Sequence, residues 1–360
     1  MDLTEPREAL REAVRGLLAR CSASADVRAA VESPSGYDPA LWSRLCGEIG
    51  VAALAIPECY GGTGASLRET QVVLEELGRT LTPSPMLGSA VLAAQALLSS
   101  GDAAACRRLL PGIADGSRLA ALAWTGPAGH WAPDEVACRA DPDGTLTGEA
   151  HHVLDGDLAD VLLVAARTPE GIGLFEVAPG QPGVARTPAT TMDLTRRLAV
   201  VRLTWAVGRR IGTVPLDHVR DCACVMLSAE QVGAAARALE LTVAYTKVRR
   251  QFGRPIGGFQ ALQHRMADLH VLVETARSAS YAAAEALATP DLPLRAAVAK
   301  VHCSEALMRV AGEMIQLHGG IGITWEHDAH LYFKRAHGAW HLFGQPAEHV
   351  ARLAALVLDG

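Results

Sequence analysis

Residues 249–270 read RRQFGRPIGGFQALQHRMADLH, and this stretch decides how the rest of the chain is read. Two adjacent arginines close a helical segment, a phenylalanine stands in a short connection punctuated by Gly and Pro, and helical spacing then resumes. Arg249 and Arg250 fall in the last turn of a helix predicted over 225–248, where cations suit the negative end of the helix dipole. A cap would need nothing more. Phe252 and the glycines at 253, 257 and 258 ask for more, because they put a large apolar side chain in a turn and let the backbone come close to another group.

Outward from this turn the texture is helical on both sides. Val232, Ala236, Leu239 and Val243 share one face before it, and Cys303, Leu307, Val310, Met314 and Leu317 form a seam after it, as in long bundle helices. The second helix runs into QLHGGIG (316–322), where Gly319 suits a C-terminal cap while Gly320 and Gly322 add backbone amides open to an anion. Residues 3–115 also read as helical, in REALREAVRGLLARC, PALWSRLCGEIG, LRETQVVLEELGRTL and GSAVLAAQALLSSG. Between 116 and 213 short β-branched runs (LAALAW, VLLVAAR, IGLFEVA, LAVVRLTW) alternate with turn signals such as DPDGTLTG, which predicts a compact antiparallel β unit. The expected organisation is therefore a helical domain over 1–115, a β domain over 116–213 and a helical bundle over 214–360.

Bulk properties exclude several functions. The 360 residues carry a formal charge of −6 with 49% hydrophobic side chains, so there is a core to bury and no basic field for nucleic acid. The N-terminus lacks a basic segment followed by an apolar one, and no run approaches a membrane span, so no export signal and no membrane span are expected. Eight scattered cysteines read as reduced thiols and a cytoplasmic location, since Cys222 and Cys224 have no second pair to complete a zinc site. His327 and His330 are spaced to share a helical face, but no third ligand accompanies them, so no metal site is expected. Trp325, Tyr332 and Trp340 read as core or interface.

PECYGGTG (57–64), the opening stretch and QLHGGIG, in this order and in these surroundings, resemble the acyl-CoA dehydrogenase flavoproteins over the whole chain. The resemblance implies a mostly α fold with a central β-domain: an N-terminal helical domain, a middle β-barrel and a C-terminal four-helix bundle. It implies FAD shared across a subunit boundary, an acyl-CoA substrate, electron-transfer flavoprotein as acceptor, and a homo-oligomer or a hetero-oligomer with a homologous subunit. By the same resemblance, Arg249 grips the cofactor diphosphate beside Phe252, while Gln316, Gly319 and Gly320 hold the cofactor from the partner side. Guanidinium-to-phosphate bonds would explain the arginine.

The family's chemistry uses a carboxylate to remove an α-proton while a β-hydride passes to the flavin. Here Phe343, in HLFGQPAEH, stands at the usual carboxylate position, and Ala223 at the usual alternative; neither accepts a proton. Glu230, in LSAEQVG, resembles an acidic residue of shorter members that degrade steroid side chains, and is the candidate base; its alternative is an ion pair with a neighbouring cation or a solvated place near the helix start. In the β domain Thr125, Pro127 and Gly129 of WTGPAGHWAP match the family's flavin-contact strand, but its acidic residue and Ser-Asp do not survive, and His152 and Leu154 replace a Trp and a Thr. The flavin ring's cradle is weakened and the diphosphate grip is kept. That asymmetry, with TTMDLTRRLAVVRL (190–203), resembles the small subunits of heteromeric acyl-CoA dehydrogenases.

Three readings follow: an FAD-dependent acyl-CoA dehydrogenase, a catalytically silent subunit that completes a partner's cofactor site, or a related acyl oxidase or biosynthetic dehydrogenase. Acyl selectivity would reside between helices near 80–100 and 225–245, where Ala234 and Ala235 fit either a roomy cavity or close helix packing.

Overall fold

The computed structural model describes residues 4–358. Helices α1 (Thr4–Cys21), α2 (Ser24–Glu32), α3 (Pro39–Arg44), α4 (Leu67–Thr80), α5 (Ala94–Leu98) and α6 (Ala103–Ala114) come first. Local chemistry sets their starts: Asp38 accepts from the Ala40 and Leu41 amides with Pro39 in the first turn, and Asp102 caps α6 in the same way. Wider π-helical turns follow α3 at Leu45–Ile49 and precede α5 at Met86–Ala93.

Eight strands follow: β1 (Ala120–Ala123), β2 (Arg139–Ala140), β3 (Thr145–Leu154), β4 (Val161–Thr168), β5 (Gly171–Val177), β6 (Val184–Pro188), β7 (Leu198–Val207) and β8 (Arg209–Thr213). They form one sheet in the order β6-β7-β3-β2-β4-β5-β8, with β1 beside β4. The expectation of an antiparallel unit is corrected, because β1 pairs with β4 in parallel along Ala120↔Val161 to Ala123↔Val164, and β2 also meets β4 in parallel. Alternation within single strands carries no information on pairing direction, so the sequence could not reveal this. The turn at 141–144 is short, and the segment after it becomes the ten-residue strand β3.

The C-terminal part comprises α7 (Leu216–Val248), the two-residue strands β9 (Arg250–Gln251) and β10 (Arg254–Pro255), then α8 (Gln260–Glu285), α9 (Leu292–His318), α10 (Ala329–His341) and α11 (Pro346–Leu358). From Val219 to Ala236 α7 is buried on every side, with α4, α8 and α9 packed against the helix. Cys303, Leu307, Val310, Met314 and Leu317 are all buried along α9, as their spacing predicted. Lys300 is fully buried as well, and its ammonium is satisfied by Ser304 Oγ (3.1 Å) and by the Ala339 and Trp340 carbonyls (2.8 and 3.1 Å) at the end of α10. No helix among the described residues is long and apolar enough to cross a membrane.

The buried thiols give the fold a definite alkaline limit. Burial pushes Cys46, Cys138, Cys222, Cys224 and Cys303 up to about 12. Their folded values lie above the unfolded one, so the stability they lend is complete below about pH 9 and is lost as pH rises toward 12. Burial pushes Lys300 down to about 8, which acts in the opposite sense between about pH 8 and 10.5. Five thiols outweigh one amine, so urea midpoints are expected to fall steadily from pH 9 to 11, and a Cys303→Ala, Cys224→Ala chain to fall less steeply.

Candidate cofactor edge and closed acyl side

The opening stretch forms an exposed hairpin. The helix ends at Val248 rather than through the two arginines: Arg249 is already extended (φ −66°, ψ 126°), with its amide on Tyr245 O at 2.9 Å, and Arg250 lies in β9. The Arg249 carbonyl then accepts from the Ile256 amide (2.8 Å), which closes the hairpin. At its tip Phe252 (φ 53°) and Gly253 (φ 78°) are both left-handed, as a two-residue hairpin turn requires. That conformation costs about 1–2 kcal/mol for a phenylalanine, which is nonetheless 90% exposed. Arg249 is exposed and enters none of the ion pairs among the described residues.

The end of α9 lies beside this hairpin. The Tyr245 ring stacks on His318 at 4.3 Å, and its hydroxyl donates to the His318 carbonyl at 3.2 Å, tying the last turns of α7 and α9 together. Gln316, Gly319 and Gly320 are exposed there. Gly319 (φ 64°, ψ −143°) caps α9, a conformation nearly restricted to glycine. A Cβ added at Gly320 would meet nothing within 4 Å, so the chain itself gives no reason for a glycine there, and its backbone is open to an outside group. The Gly319 amide is spent on the Gln316 and Ile315 carbonyls, so an exposed guanidinium and the exposed backbone at Gly320 are what suit a diphosphate here. His327 packs on His318 at a tilt of 43° and 4.3 Å, whereas His330 meets Trp325 at 4.6 Å. The two histidines therefore do not share a face, because His327 precedes α10. Trp325 is exposed beneath the Lys334 ammonium, and Tyr332 is in the core.

The residues matched to the flavin ring are placed differently. Thr125 is only 2% exposed, it bridges to Val136, and its carbonyl accepts from the His151 amide at 2.7 Å. Phe343 is fully buried at φ 62°, and Trp131 stands edge-on between it (5.0 Å) and Trp124 (5.4 Å). This aromatic block surrounds Phe343, the position that the sequence resemblance matches to the family's carboxylate. Between β3 and α10 a cleft of about 220 Å³ remains, lined by Gly129, Trp131, His152, Leu198 and His341.

Glu230 sits in the middle of α7 and is buried, not near a solvated helix start. Its Oε1 accepts from both Arg196, in the loop before β7, and Arg335, on α10. Arg335 also reaches Asp193 Oδ2 (2.9 Å), Thr195 Oγ1 (2.6 and 3.1 Å) and the Thr195 carbonyl (3.0 Å). Burial works to lower the Arg335 pKa, but Glu230 and Asp193 prevail and hold it above the usual arginine range. Burial lowers that of Arg196 and pushes Asp155, beside it, up to about 7. The void left around this cluster is about 20 Å³, room for roughly one water. Sequence reading missed Arg196, Arg335, Asp193 and Trp131; only the double arginine in TTMDLTRRL next to an aspartate hinted at a charged cluster.

Ala234 and Ala235 are both buried. A Cβ on Gly78 would lie 2.1 Å from Glu230 O, and one on Gly233 would lie 1.9 Å from Glu75 O. Each helix thus seats a glycine against the other's backbone, and α4 and α7 are in direct contact.

Comparison with known proteins identifies the class. Residues 4–117 match the model for the acyl-CoA dehydrogenase N-terminal domain and residues 220–355 that for the acyl-CoA dehydrogenase C-terminal domain. The chain belongs to the acyl-CoA dehydrogenase family, whose members are flavoproteins and oxidoreductases acting on CH–CH bonds. Among its relatives is the acyl-CoA dehydrogenase IpdE2 of Mycolicibacterium smegmatis, 43% identical over 99% of this chain and 100% of that one. Among solved structures, the ChsE4-ChsE5 complex from Mycobacterium tuberculosis superposes with a TM-score of 0.92 at 31% identity over 100% of both chains. A variant of the Tcur3481-Tcur3483 steroid ACAD gives 0.90 at 33% identity over 99% of both.

Proposed function

We propose that this chain acts in FAD-dependent α,β-dehydrogenation of an acyl-CoA thioester as one subunit of an assembly with a homologous chain. In that assembly it contributes the outer edge of the cofactor site, while the acyl group is held by the partner. The observation that carries this reading is a contrast along α7: an exposed arginine hairpin at its end with exposed glycine backbone at the end of α9, and a mid-helix carboxylate held by two guanidiniums where an acyl chain would lie. Bound FAD would supply the acceptor for the β-hydride, with electron-transfer flavoprotein as the onward acceptor. Arg249 would neutralise diphosphate charge, Phe252 would cover the nucleotide, and Gln316 with the Gly319 and Gly320 backbone would flank it. The relatives named for a two-chain complex and for a steroid ACAD support a heteromer working on a steroid-derived acyl-CoA; its place of action is taken to be the cytoplasm.

Within this reading Glu230 is an ion-pair partner and not the base, since Arg196 and Arg335 both donate to its Oε1 and hold the carboxylate inside a buried charged cluster. The chain purified alone is expected to be colourless and to acquire FAD on mixing with its partner. Arg249→Met is expected to weaken FAD binding by the assembly about 10- to 100-fold, the loss of one or two charge-assisted hydrogen bonds, read by fluorescence titration. Glu230→Gln should leave flavin bleaching by acyl-CoA intact. A yellow chain that bleaches by itself, and fails to once Glu230 is Gln, would establish it as an autonomous enzyme instead.

A further inference from the structure

The cofactor edge is built from two chain segments, the hairpin of β9 and β10 after α7 and the tight turn Gly319–Ile323 after α9. One aromatic cluster joins them. Tyr245 lies a helical turn before the hairpin, and its carbonyl accepts from the Arg249 amide at 2.9 Å. On the other side the 319–323 turn closes over His318, since a Cβ on Gly322 would lie 3.1 Å from the His318 Cβ. The Tyr245 and His318 rings stack at 4.3 Å and 26°, and His327 packs against the same imidazole from the segment before α10.

Hydrogen bonds fix which nitrogen of each histidine carries its proton. His318 Nδ1 is 2.7 Å from the Met314 carbonyl, which can only accept, so the proton is on Nδ1. Its Nε2 is buried and has no partner. His327 is the converse, because its Nδ1 accepts from the Ala329 amide at 3.1 Å and is therefore bare. A second proton on His318 would place a charged N–H in the interior without an acceptor, and one on His327 would take the acceptor away from the first amide of α10. Both rings are built to be neutral.

The charged surroundings leave this balance in place. Asp328 and Arg28 act on His327 but pair with each other at 2.7 Å, and His330 and Lys334 follow on α10. The titratable groups against His318 are Tyr245 and His327. Burial lowers the pKa of both imidazoles, against the Met314 carbonyl at His318 and against Asp328 at His327. Folded values below the unfolded one mean that the neutral cluster is fully stable above about pH 6.5 and loses stability as pH falls below it.

We propose that Tyr245, His318 and His327 form a clamp that positions the two segments of the cofactor edge against each other, and that acid opens it by charging the histidines. Its value for cofactor binding rests on the function proposed above; the clamp itself does not. The test uses the full chain without FAD, labelled with ¹⁵N-histidine. Hydrogen exchange is followed in peptides over 246–258 and 316–325 at about pH 7.5 and about pH 5.5, on either side of the histidine range and corrected for the intrinsic rate.

His318 is expected to carry its proton on Nδ1 at the higher pH and to titrate below the usual histidine range. Exchange in both peptides should rise about tenfold at the lower pH, one hydrogen bond's worth of opening, while peptides of α6 stay unchanged. The double variant His318→Phe, His327→Asn keeps a ring against Tyr245 and an acceptor for the Ala329 amide, takes up no proton, and should show no such rise. If it does not fold, the titration and exchange of the intact chain decide alone. A His318 that titrates at or above the usual value, equal exchange at the two pH values, or a folded double variant with the full acid response would overturn the clamp. FAD titration of the assembly is read separately: no binding at either pH counts against the proposed function and leaves the clamp standing, whereas binding equally tight at both overturns the positioning role.

Discussion

Replacing Arg335 with methionine is expected to lower the unfolding free energy by about 3–5 kcal/mol, the usual effect of stranding a buried charge. Arg335 is 4% exposed at its side chain and holds Glu230 and Asp193, which are 7% and 4% exposed. Without it two carboxylates face Arg196 alone. The double variant Arg335→Met, Glu230→Gln leaves Asp193 opposite Arg196 and removes one charge of each sign, so most of the loss should be recovered. Urea denaturation of the two variants and the parent chain measures this directly. If the single variant proves as stable as the parent, the cluster is not a closed ion-pair core and the acyl side is more open than the structure indicates.

The second large effect is expected at the α4–α7 contact. Gly233→Ala places a methyl group 1.9 Å from a backbone oxygen, and no rotamer change can relieve a clash with backbone. The helices must separate, which should cost about 3 kcal/mol, at the upper end of typical overpacking losses. Gly78→Ala at the reciprocal seat, 2.1 Å from Glu230 O, should cost a similar amount. Because one separation relieves both clashes, the double variant should lose clearly less than the sum, by thermal or urea unfolding. Full additivity would mean that the two contacts are independent and that the helices do not move as a pair.

The legible part of this molecule was the part built from local chemistry. Glycines at 253, 319 and 320 announced chain reversals and open backbone, and the four- and three-residue steps of α9 announced its buried seam. Arg249 was legible as a residue but not in its conformation, since the register at which α7 stops depends on the hairpin that pulls the chain extended. The direction in which β1 meets β4 was hidden because strand pairing is a long-range choice. The same reason concealed the partners of Glu230: Arg196 lies 34 residues before it and Arg335 lies 105 after it. Sequence spacing on one helix could suggest an ion pair, but not partners from a loop of the β domain and from a third helix. Phe343 and Ala223 were visible as missing bases; that Trp131 packs against the former was not.

The charged knot around Glu230 has a consequence for how such a chain can change over time. Its members come from a loop, from α7 and from α10, and each is stable only in the company of the others. Altering any one of them alone passes through a weakened intermediate, while altering the whole group together requires coincident mutations. Natural variation arriving one residue at a time will therefore tend to preserve the knot.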